Sequence, residues 1–255
     1  MNRTVVTLIL LISGALLLSG CQSAASKAYD ENEIKRAKSH YNLGLDAINK
    51  NQLPKAFDEL MQSDAINPNQ PEVLDLLAYS WYLHGNLEKS ELYYKRAIQA
   101  GGGSISHNNY GGLLLVLERY DEAKKHLEKA LEDPRYRNQY KARINLGDAL
   151  LGLKQYDDAI NAYRDADRFG ARQTLSRLKE AQAYIASGRL NYAQALYETM
   201  LQENSSDRAA LVGLVDLLKL RNNHAAARKQ LMLFKGNSKS ALDRAWAADE
   251  LEKFR

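Results

Sequence analysis

Apolar and polar positions alternate along residues 37–241 with the period of amphipathic helices, in paired segments separated by short polar turns. A small residue marks the middle of each first helix, a second small residue follows twelve positions later, and a larger apolar residue stands four positions after that. The six sets are Gly44, Ala56 and Leu60; Ala78, Ser90 and Tyr94; Gly111, Ala123 and Leu127; Gly147, Ala159 and Tyr163; Ala181, Ala193 and Tyr197; and Val215, Ala227 and Leu231. The pattern predicts six helix–turn–helix repeats, of which the sixth is the weakest because Val215 occupies its small site.

The small residues of successive first helices are separated by 34, 33, 36, 34 and 34 positions, which matches the tetratricopeptide repeat. A pair of short helices cannot bury its apolar faces alone, so such repeats must stack on one another. We therefore predict an all-α fold, a right-handed tetratricopeptide α-solenoid of about six repeats that ends in a capping helix containing Trp246. The predicted repeats are 37–70, 71–103, 104–139, 140–173, 174–207 and 208–241, and the predicted capping helix is 242–255.

Two adjacent glycines in the stretch HNNYGG, residues 107–112, raise the alternative of a phosphate-binding loop. Such a loop needs its glycines between a strand and the start of a helix, and no strand pattern precedes this stretch. The helical pattern instead continues into LLLVL. We predict that Gly111 lies in mid-helix at a close helix contact, where small residues let backbones approach. The same packing role is predicted for Gly44, Ala78, Gly147 and Ala181, whereas Gly101–Gly103 is predicted to form the turn between repeats two and three.

The N-terminal stretch has the features of a secretory signal. Arg3 precedes an apolar run of 14 residues, from Val5 to Leu18, which is too short to span a bilayer as a helix but suits a signal peptide. The run ends in Leu-Ser-Gly-Cys, which resembles the bacterial lipobox. This implies a lipoprotein signal peptide over residues 1–20, N-acyl and S-diacylglycerol groups on Cys21, and a flexible stalk over the rest of 21–36. The alternative is an ordinary secretory peptide that happens to contain a cysteine.

Composition and motifs argue against catalysis and nucleic-acid binding. The formal net charge is +4, with acidic and basic residues mixed along the chain rather than gathered in a basic block. The five histidines form no HExxH motif or close metal-ligand pair on one helical face, and Cys21 is the only cysteine. The acidic pairs Asp121-Glu122 and Asp157-Asp158 begin second helices, where they face the helix dipole. We predict a non-enzymatic protein with no cofactor, metal or small-molecule substrate.

The predicted partner-binding surface is the concave groove of a tetratricopeptide stack, which the first helix of each repeat faces. Side chains two before and one, four or five after the packing residue are predicted to point inward. The predicted groove residues are Tyr41, Asn42, Leu45 and Ile48; Tyr79 and Tyr82; Asn108, Asn109, Leu115 and Val116; and Asn145, Asp148 and Leu151. The recurring asparagines at positions 42, 109 and 145 could pair with the backbone of a bound peptide. The alternative is that they satisfy helix ends or neighbouring repeats.

Residues 107–151 also resemble a particular branch of this superfamily. The segments NNYG, RYDEA and KALEDPRY, with a two-residue insertion before NLG, resemble the PilF/PilW family of tetratricopeptide lipoproteins of type IV pilus biogenesis. The resemblance implies a pilotin on the periplasmic side of the outer membrane, anchored through Cys21. Its partner would be the pilus secretin subunit or another pilus assembly protein, and Gln22 after the cysteine favours the outer membrane. A general periplasmic scaffold that recruits cell-wall enzymes remains the alternative.

Overall fold

The computed structural model describes residues 31–169 and 173–254, and over these ranges it contains thirteen helices and no strand. Helix α1 covers residues 31–49. The other helices are α2 (Leu53–Ile66), α3 (Pro71–Leu83), α4 (Leu87–Gln99), α5 (Gly103–Val116), α6 (Tyr120–Leu131), α7 (Gln139–Gly152), α8 (Tyr156–Phe169), α9 (Gln173–Ala186), α10 (Leu190–Glu203), α11 (Arg208–Leu220), α12 (His224–Asn237) and α13 (Ala241–Glu252). They form six antiparallel pairs and a final helix, which confirms the predicted fold class.

Two compact bodies make up the chain, one ending at Ser106 and one beginning at His107, and they are called the N-terminal and C-terminal bodies below. In the N-terminal body, Leu60, Val73 and Leu77 form a core cluster. A larger apolar core runs through the C-terminal body from Ile144 to Ala247. None of the helices in the described ranges has both the length and the apolar character required to cross a bilayer.

The N-terminal features predicted from the sequence fall largely outside the described residues. Cys21, the predicted signal peptide 1–20 and residues 22–30 of the predicted stalk all lie there. For residues 31–36 the stalk prediction is wrong, because these residues are already helical in α1. Their sequence is rich in helix-forming residues, and the Arg36 guanidinium pairs with the Glu33 carboxylate one turn earlier at 2.6 Å.

A turn of three residues joins the two helices of every pair, at 50–52, 84–86, 117–119, 153–155, 187–189 and 221–223. The middle residue of each turn has a positive φ, and at Glu118 and Lys154 a non-glycine residue adopts it, with φ of 56° and 61°. The turn residues donate backbone hydrogen bonds to the last carbonyls of the preceding helix, as Arg119 N does to Leu114 O at 2.9 Å. This is the Schellman arrangement that ends helices. It closes every hairpin in the same way.

The packing glycines lie at close contacts between helices. A Cβ added to Gly44 would lie 2.6 Å from Cγ of Leu60, and one added to Gly111 would lie 2.7 Å from Cγ of Leu127. At Gly147 the added atom would overlap the ring of Tyr163. The two alanines at equivalent positions, Ala78 and Ala181, are fully buried. In the first five repeats the small residue of the first helix therefore admits the large residue of the second, whereas the sixth carries Val215 at this position. Gly111 lies within α5 rather than in a loop.

The connector between repeats two and three covers residues 100–102, so Gly101 and Gly102 of the predicted turn lie in it, whereas Gly103 already begins α5. Gly101 and Gly103 have φ values of +92° and +55°, which L side chains rarely adopt. The acidic pairs lie at the predicted helix starts. Asp121 and Glu122 are in the first turn of α6, and Asp157 and Asp158 are in the first turn of α8. Their charge stabilises helix starts.

Helix α13 closes the C-terminal body as a capping helix. It begins with an N-cap in which the Ser240 hydroxyl accepts a hydrogen bond from Asp243 N at 3.2 Å. The Trp246 ring meets the Phe234 ring of α12 edge to face, with centroids 6.0 Å apart. Ala247 is fully buried against the core. The last pair of helices is therefore covered on its outer side by a single amphipathic helix.

The two adjacent glycines of α5 offer a matched stability test. In Gly111→Ala the new methyl group overlaps Leu127, at a cost of about 1–3 kcal/mol that exceeds the gain of about 1 kcal/mol in helix propensity. In Gly112→Ala the nearest atom, Nδ2 of Asn145, lies 3.9 Å away, so only the gain remains. We expect thermal unfolding, followed by circular dichroism, to occur at lower temperature for Gly111→Ala and at higher temperature for Gly112→Ala than in the unmodified chain. Equal shifts in both variants would contradict the close contact.

Candidate functional site

Helix α3 presents an exposed aromatic surface in the N-terminal body. The rings of Tyr79 and Tyr82 stack with centroids 6.1 Å apart and an interplanar angle of 19°. Both side chains remain exposed, at 41% and 37%, and Leu83 beside them is 44% exposed. Residues three and four apart share one face of a helix, so these three form a continuous surface, called the α3 patch below. Exposed rings with free hydroxyl edges are typical of protein-binding surfaces.

The predicted groove residues of α1 differ from one another in environment. Tyr41 and Ile48 are half-buried and pack against the core cluster of the N-terminal body. Burial raises the pKa of the Tyr41 hydroxyl, and the carboxylates of Glu72 and Asp75 raise it further. Asn42 is exposed and Leu45 is half-buried. Tyr41 and Ile48 therefore brace α1 against its neighbours, while the Asn42 amide is accessible to solvent.

Two of the predicted groove asparagines pair with each other in the C-terminal body. Nδ2 of Asn145 on α7 donates to Oδ1 of Asn108 on α5 at 3.1 Å. Asn108 is only 7% exposed, whereas Asn109 is half-buried. For Asn145 the alternative interpretation applies, in which such an asparagine satisfies a neighbouring repeat. The predicted row of amides open to a peptide backbone is therefore not formed between α5 and α7.

Asp148, also predicted as a groove residue, joins three helices. Its carboxylate accepts a hydrogen bond from the Tyr163 hydroxyl of α8 at 2.7 Å and from Nζ of Lys179 on α9 at 2.9 and 3.1 Å. Burial raises the pKa of Tyr163, and the neighbouring Asp148 charge raises it further. The carboxylate is thus already satisfied within the fold. Its role is to hold α7, α8 and α9 together rather than to await a partner.

The remaining predicted residues lie at the margins of α5 and α7. Leu115 is half-buried and Val116 is 51% exposed, while Leu151 packs against the core of the C-terminal body. Val116 therefore adds an apolar contact surface, and Leu151 is mainly structural.

A pair of histidines comes together from two helices, and the spacing along a single helix does not predict it. Nδ1 of His107 on α5 lies 2.9 Å from Nδ1 of His126 on α6, and the Tyr110 ring meets the His126 ring at 4.6 Å. Burial lowers the pKa of His107, and Lys129 lowers it further. In the described part of the chain, no three histidine, cysteine or acidic side chains gather as metal ligands. The pair links α5 to α6.

A cavity of about 830 Å³ between α9 and α11 was missed from the sequence, and it is called the C-terminal cavity below. Its apolar lining includes Leu178, Ile185, Val212, Leu217 and Leu220, and its polar lining is Gln182, Tyr197, Arg208 and Asp216. Its volume falls within the range of about 300–1,000 Å³ typical of ligand sites. The offset rule used for repeats one to four, continued into repeats five and six, reaches Gln182, Ile185, Gly213, Asp216 and Leu220. The same spacing, applied to repeats five and six, therefore predicts much of the lining of this cavity.

The floor of the C-terminal cavity is the Tyr197 ring, which lies against the backbone of Gly213. A Cβ at Gly213 would lie 2.5 Å from Cζ of this ring. Tyr197 is only 3% exposed, and burial followed by the Asp216 charge raises its pKa. Unlike the Tyr163 hydroxyl, the Tyr197 hydroxyl has no hydrogen-bond acceptor among residues 31–169 and 173–254. The lining of the cavity therefore includes a hydroxyl donor that no acceptor of the described residues engages.

Comparison with known proteins agrees with this architecture. A family profile described as the tetratricopeptide repeat matches residues 111–173 and 178–233. Type IV pilus assembly protein PilF of Pseudomonas aeruginosa is 23% identical over 209 residues, which is 78% of this chain and 81% of that protein. Cellulose synthase operon protein C of Pseudomonas fluorescens is 24% identical over 84% of this chain, which spans only 18% of that protein.

Solved structures show the same fold. A structure of Pseudomonas aeruginosa PilF superposes with a TM-score of 0.68 at 20% identity, over 86% of this chain and 99% of that one. PilW, described as a widely conserved type IV pilus biogenesis factor, superposes with a TM-score of 0.71 at 17% identity, over 82% and 97%. At these identities the likeness establishes a tetratricopeptide-repeat fold.

The two buried tyrosines of the C-terminal body provide a second matched test. Tyr163→Phe removes a hydrogen bond to a carboxylate, worth about 1.5–3 kcal/mol, and leaves Asp148 with Lys179 alone. Tyr197→Phe removes a hydroxyl that has no acceptor, so the free energy of unfolding should change little. Denaturant unfolding of both variants should show a lower midpoint for Tyr163→Phe only. A comparable loss in Tyr197→Phe would mean that its hydroxyl is also satisfied.

Proposed function

We propose that this chain, a tetratricopeptide-repeat protein similar to PilF and PilW, acts in type IV pilus biogenesis as a lipid-anchored, pilotin-like binding protein. In this role it captures a segment of the pilus secretin at the outer membrane and promotes secretin localisation and assembly, or the stability of the pilus. The observation that carries the proposal is the likeness to PilF, which extends over 81% of that protein's sequence and 99% of its solved chain.

The α3 patch supplies a surface suited to this capture. Stacked tyrosines lose little rotamer freedom on binding, and aromatic side chains are enriched among the residues that dominate protein interfaces. Leu83 extends the apolar area, and the exposed Asn42 amide of the same body can donate to and accept from a peptide backbone. The proposal assigns the chain no reaction of its own, since tetratricopeptide repeats serve as interaction scaffolds.

The lipid on Cys21 gives the proposed anchor. One acyl chain binds a membrane only marginally, whereas several chains hold stably. Nine residues, 22–30, separate Cys21 from the first described helix. At about 3.3–3.6 Å per extended residue, they would let α1 reach on the order of 30 Å from the bilayer surface. A secretin segment held by the repeats would then stay close to the membrane into which it assembles.

A second candidate is a general periplasmic adaptor that recruits cell-wall enzymes with the same fold and anchor. It is supported by the match to cellulose synthase operon protein C, a relative whose name refers to no pilus. The two candidates differ in the protein that the repeats retain.

Co-purification from detergent-solubilised envelopes tests the partner. The full chain is expected to retain the pilus secretin, and Tyr82→Ala is expected to retain about tenfold less, as for a central aromatic contact. Tyr192→Ala is the matched control, because Tyr192 is also an exposed tyrosine, at 64%, but lies on the second helix α10. Recovery of cell-wall hydrolases without secretin would favour the adaptor. Retention of secretin by Tyr82→Ala at the full level would exclude the α3 patch.

Replacing the acceptor of the lipid tests the anchor. Cys21→Ser cannot form the thioether to diacylglycerol, so the protein should leave the outer-membrane fraction and lose incorporation of labelled palmitate. Ser23→Ala, two residues away, should change neither. Labelling of Cys21→Ser equal to that of the unmodified chain would contradict attachment at Cys21.

A further inference from the structure

Asp216 in the C-terminal cavity is the counterpart of Asp148. Each aspartate directly follows the packing residue of its first helix, Gly147 in the fourth repeat and Val215 in the sixth. Asp148 is held by two donors: the Tyr163 hydroxyl, fifteen residues further along the chain, and the Lys179 ammonium group, thirty-one residues further along. The fourth repeat therefore shows which chemistry satisfies a carboxylate at this position.

Neither donor is present for Asp216. Fifteen residues after it stands Leu231, and thirty-one residues after it stands Ala247. Asp216 instead forms a long ion pair with Lys219, whose Nζ lies 3.7 Å from Oδ1, beyond hydrogen-bond distance. The same ammonium group also lies 3.9 Å from the Glu250 carboxylate. Accordingly, the Asp216 side chain is 66% exposed, compared with 26% for Asp148.

The surface around Asp216 is apolar. Val212 and Leu220 lie one turn before and one turn after it on α11, and they are 37% and 61% exposed. Leu178 and Ile185 of α9 form the facing wall. When a partner covers apolar side chains that are exposed in a concave surface, the burial lowers the free energy of the complex. The cavity therefore combines an apolar wall with a largely exposed carboxylate whose ion pair with Lys219 is long, at 3.7 Å.

The other charged group of the cavity is already engaged. The Arg208 guanidinium lies over the Trp246 ring at 4.4 Å and 3.7 Å from the Asp243 carboxylate, both on the capping helix. Arg208 precedes Asp216 by eight residues, which is about 12 Å along a helix. The middle of the cavity thus presents the Asp216 carboxylate, which is 66% exposed and paired only at 3.7 Å with Lys219, so a cationic group of a ligand can reach it.

We propose that the C-terminal cavity binds a protein segment that places a lysine or arginine on Asp216 and apolar side chains on Val212, Leu220 and Ile185. The cation takes the place that Lys179 occupies at Asp148. A backbone carbonyl of the segment accepts the hydrogen bond of the Tyr197 hydroxyl, and the Gln182 amide pairs with the neighbouring peptide group. The inference rests on the proposed function only in taking the ligand to be a protein.

Selection from a phage-displayed library of random short peptides tests this without knowledge of the natural partner. The full chain in detergent micelles is the bait. Peptides that also bind the Val212→Glu protein, whose helicity is first shown to be unchanged, are discarded because they bind outside the cavity. The retained peptides are expected to combine apolar residues with one lysine or arginine. Their affinity should fall about three- to tenfold in Asp216→Asn, as for a partly exposed charge pair. Asp249→Asn, which removes an exposed carboxylate of α13, should leave it unchanged.

A charge exchange separates direct contact from a structural effect. Peptides in which the basic residue is replaced by glutamate should lose binding to the unmodified chain and regain it with Asp216→Lys. Failure to enrich any peptide over the Val212→Glu protein would overturn the inference, and so would selected peptides that do not respond to Asp216→Asn. Retention of the secretin in the co-purification is an independent test of the proposed function. If it persists while these peptides fail, the proposed function stands and the inference on this cavity falls.

Discussion

The close approach of the two helices within a repeat, at the small residue of the first helix, is the contact on which the rest of the chain depends. At Gly111 the α5 backbone lies so near Leu127 that a single methyl group does not fit between them, and the same holds at Gly44 and Gly147. Because tight packing fixes the rotation of each first helix about its own axis, it also decides which side chains of that helix turn outward. The α3 patch and the C-terminal cavity are both consequences of this constraint. Neither would have a defined position if the hairpins could slide.

Most of the fold could be predicted because the period of small and large residues reports directly on this contact. The same reasoning placed Gly111 inside a helix, although HNNYGG taken alone suggests a loop. It failed at residues 31–36, where helix-forming residues continue α1 beyond the start of the repeat pattern. A period identifies where repeats pack on one another. It says nothing about how far the first helix extends past its last repeat contact.

The candidate site was less predictable, because position on a helix does not fix a side chain's partner. Asn145 and Asp148 were assigned to the groove from their spacing, yet the first bonds Asn108 and the second bonds Tyr163 and Lys179. Those partners come from other helices, and their reach depends on packing that the period does not contain. Comparison between repeats recovers part of this information. Asp148 and Asp216 occupy equivalent positions, but the residues that follow them differ, so that Asp148 is hydrogen-bonded inside the fold and Asp216 remains largely exposed with a long ion pair to Lys219.

The uniform hairpin turns have a further consequence, for how the chain tolerates changes of length. Every turn within a repeat has three residues and one left-handed residue at its centre. Among the connectors between repeats that the structure describes, the length ranges from three residues at 100–102 to seven at 132–138. An inserted residue within a hairpin would rotate the second helix by about 100° and remove its large residue from the packing contact. The longer spacing between Gly111 and Gly147 is accommodated in the 132–138 connector instead. A reporter tag or a whole domain should accordingly be grafted into that connector, where the chain already carries extra length between intact hairpins.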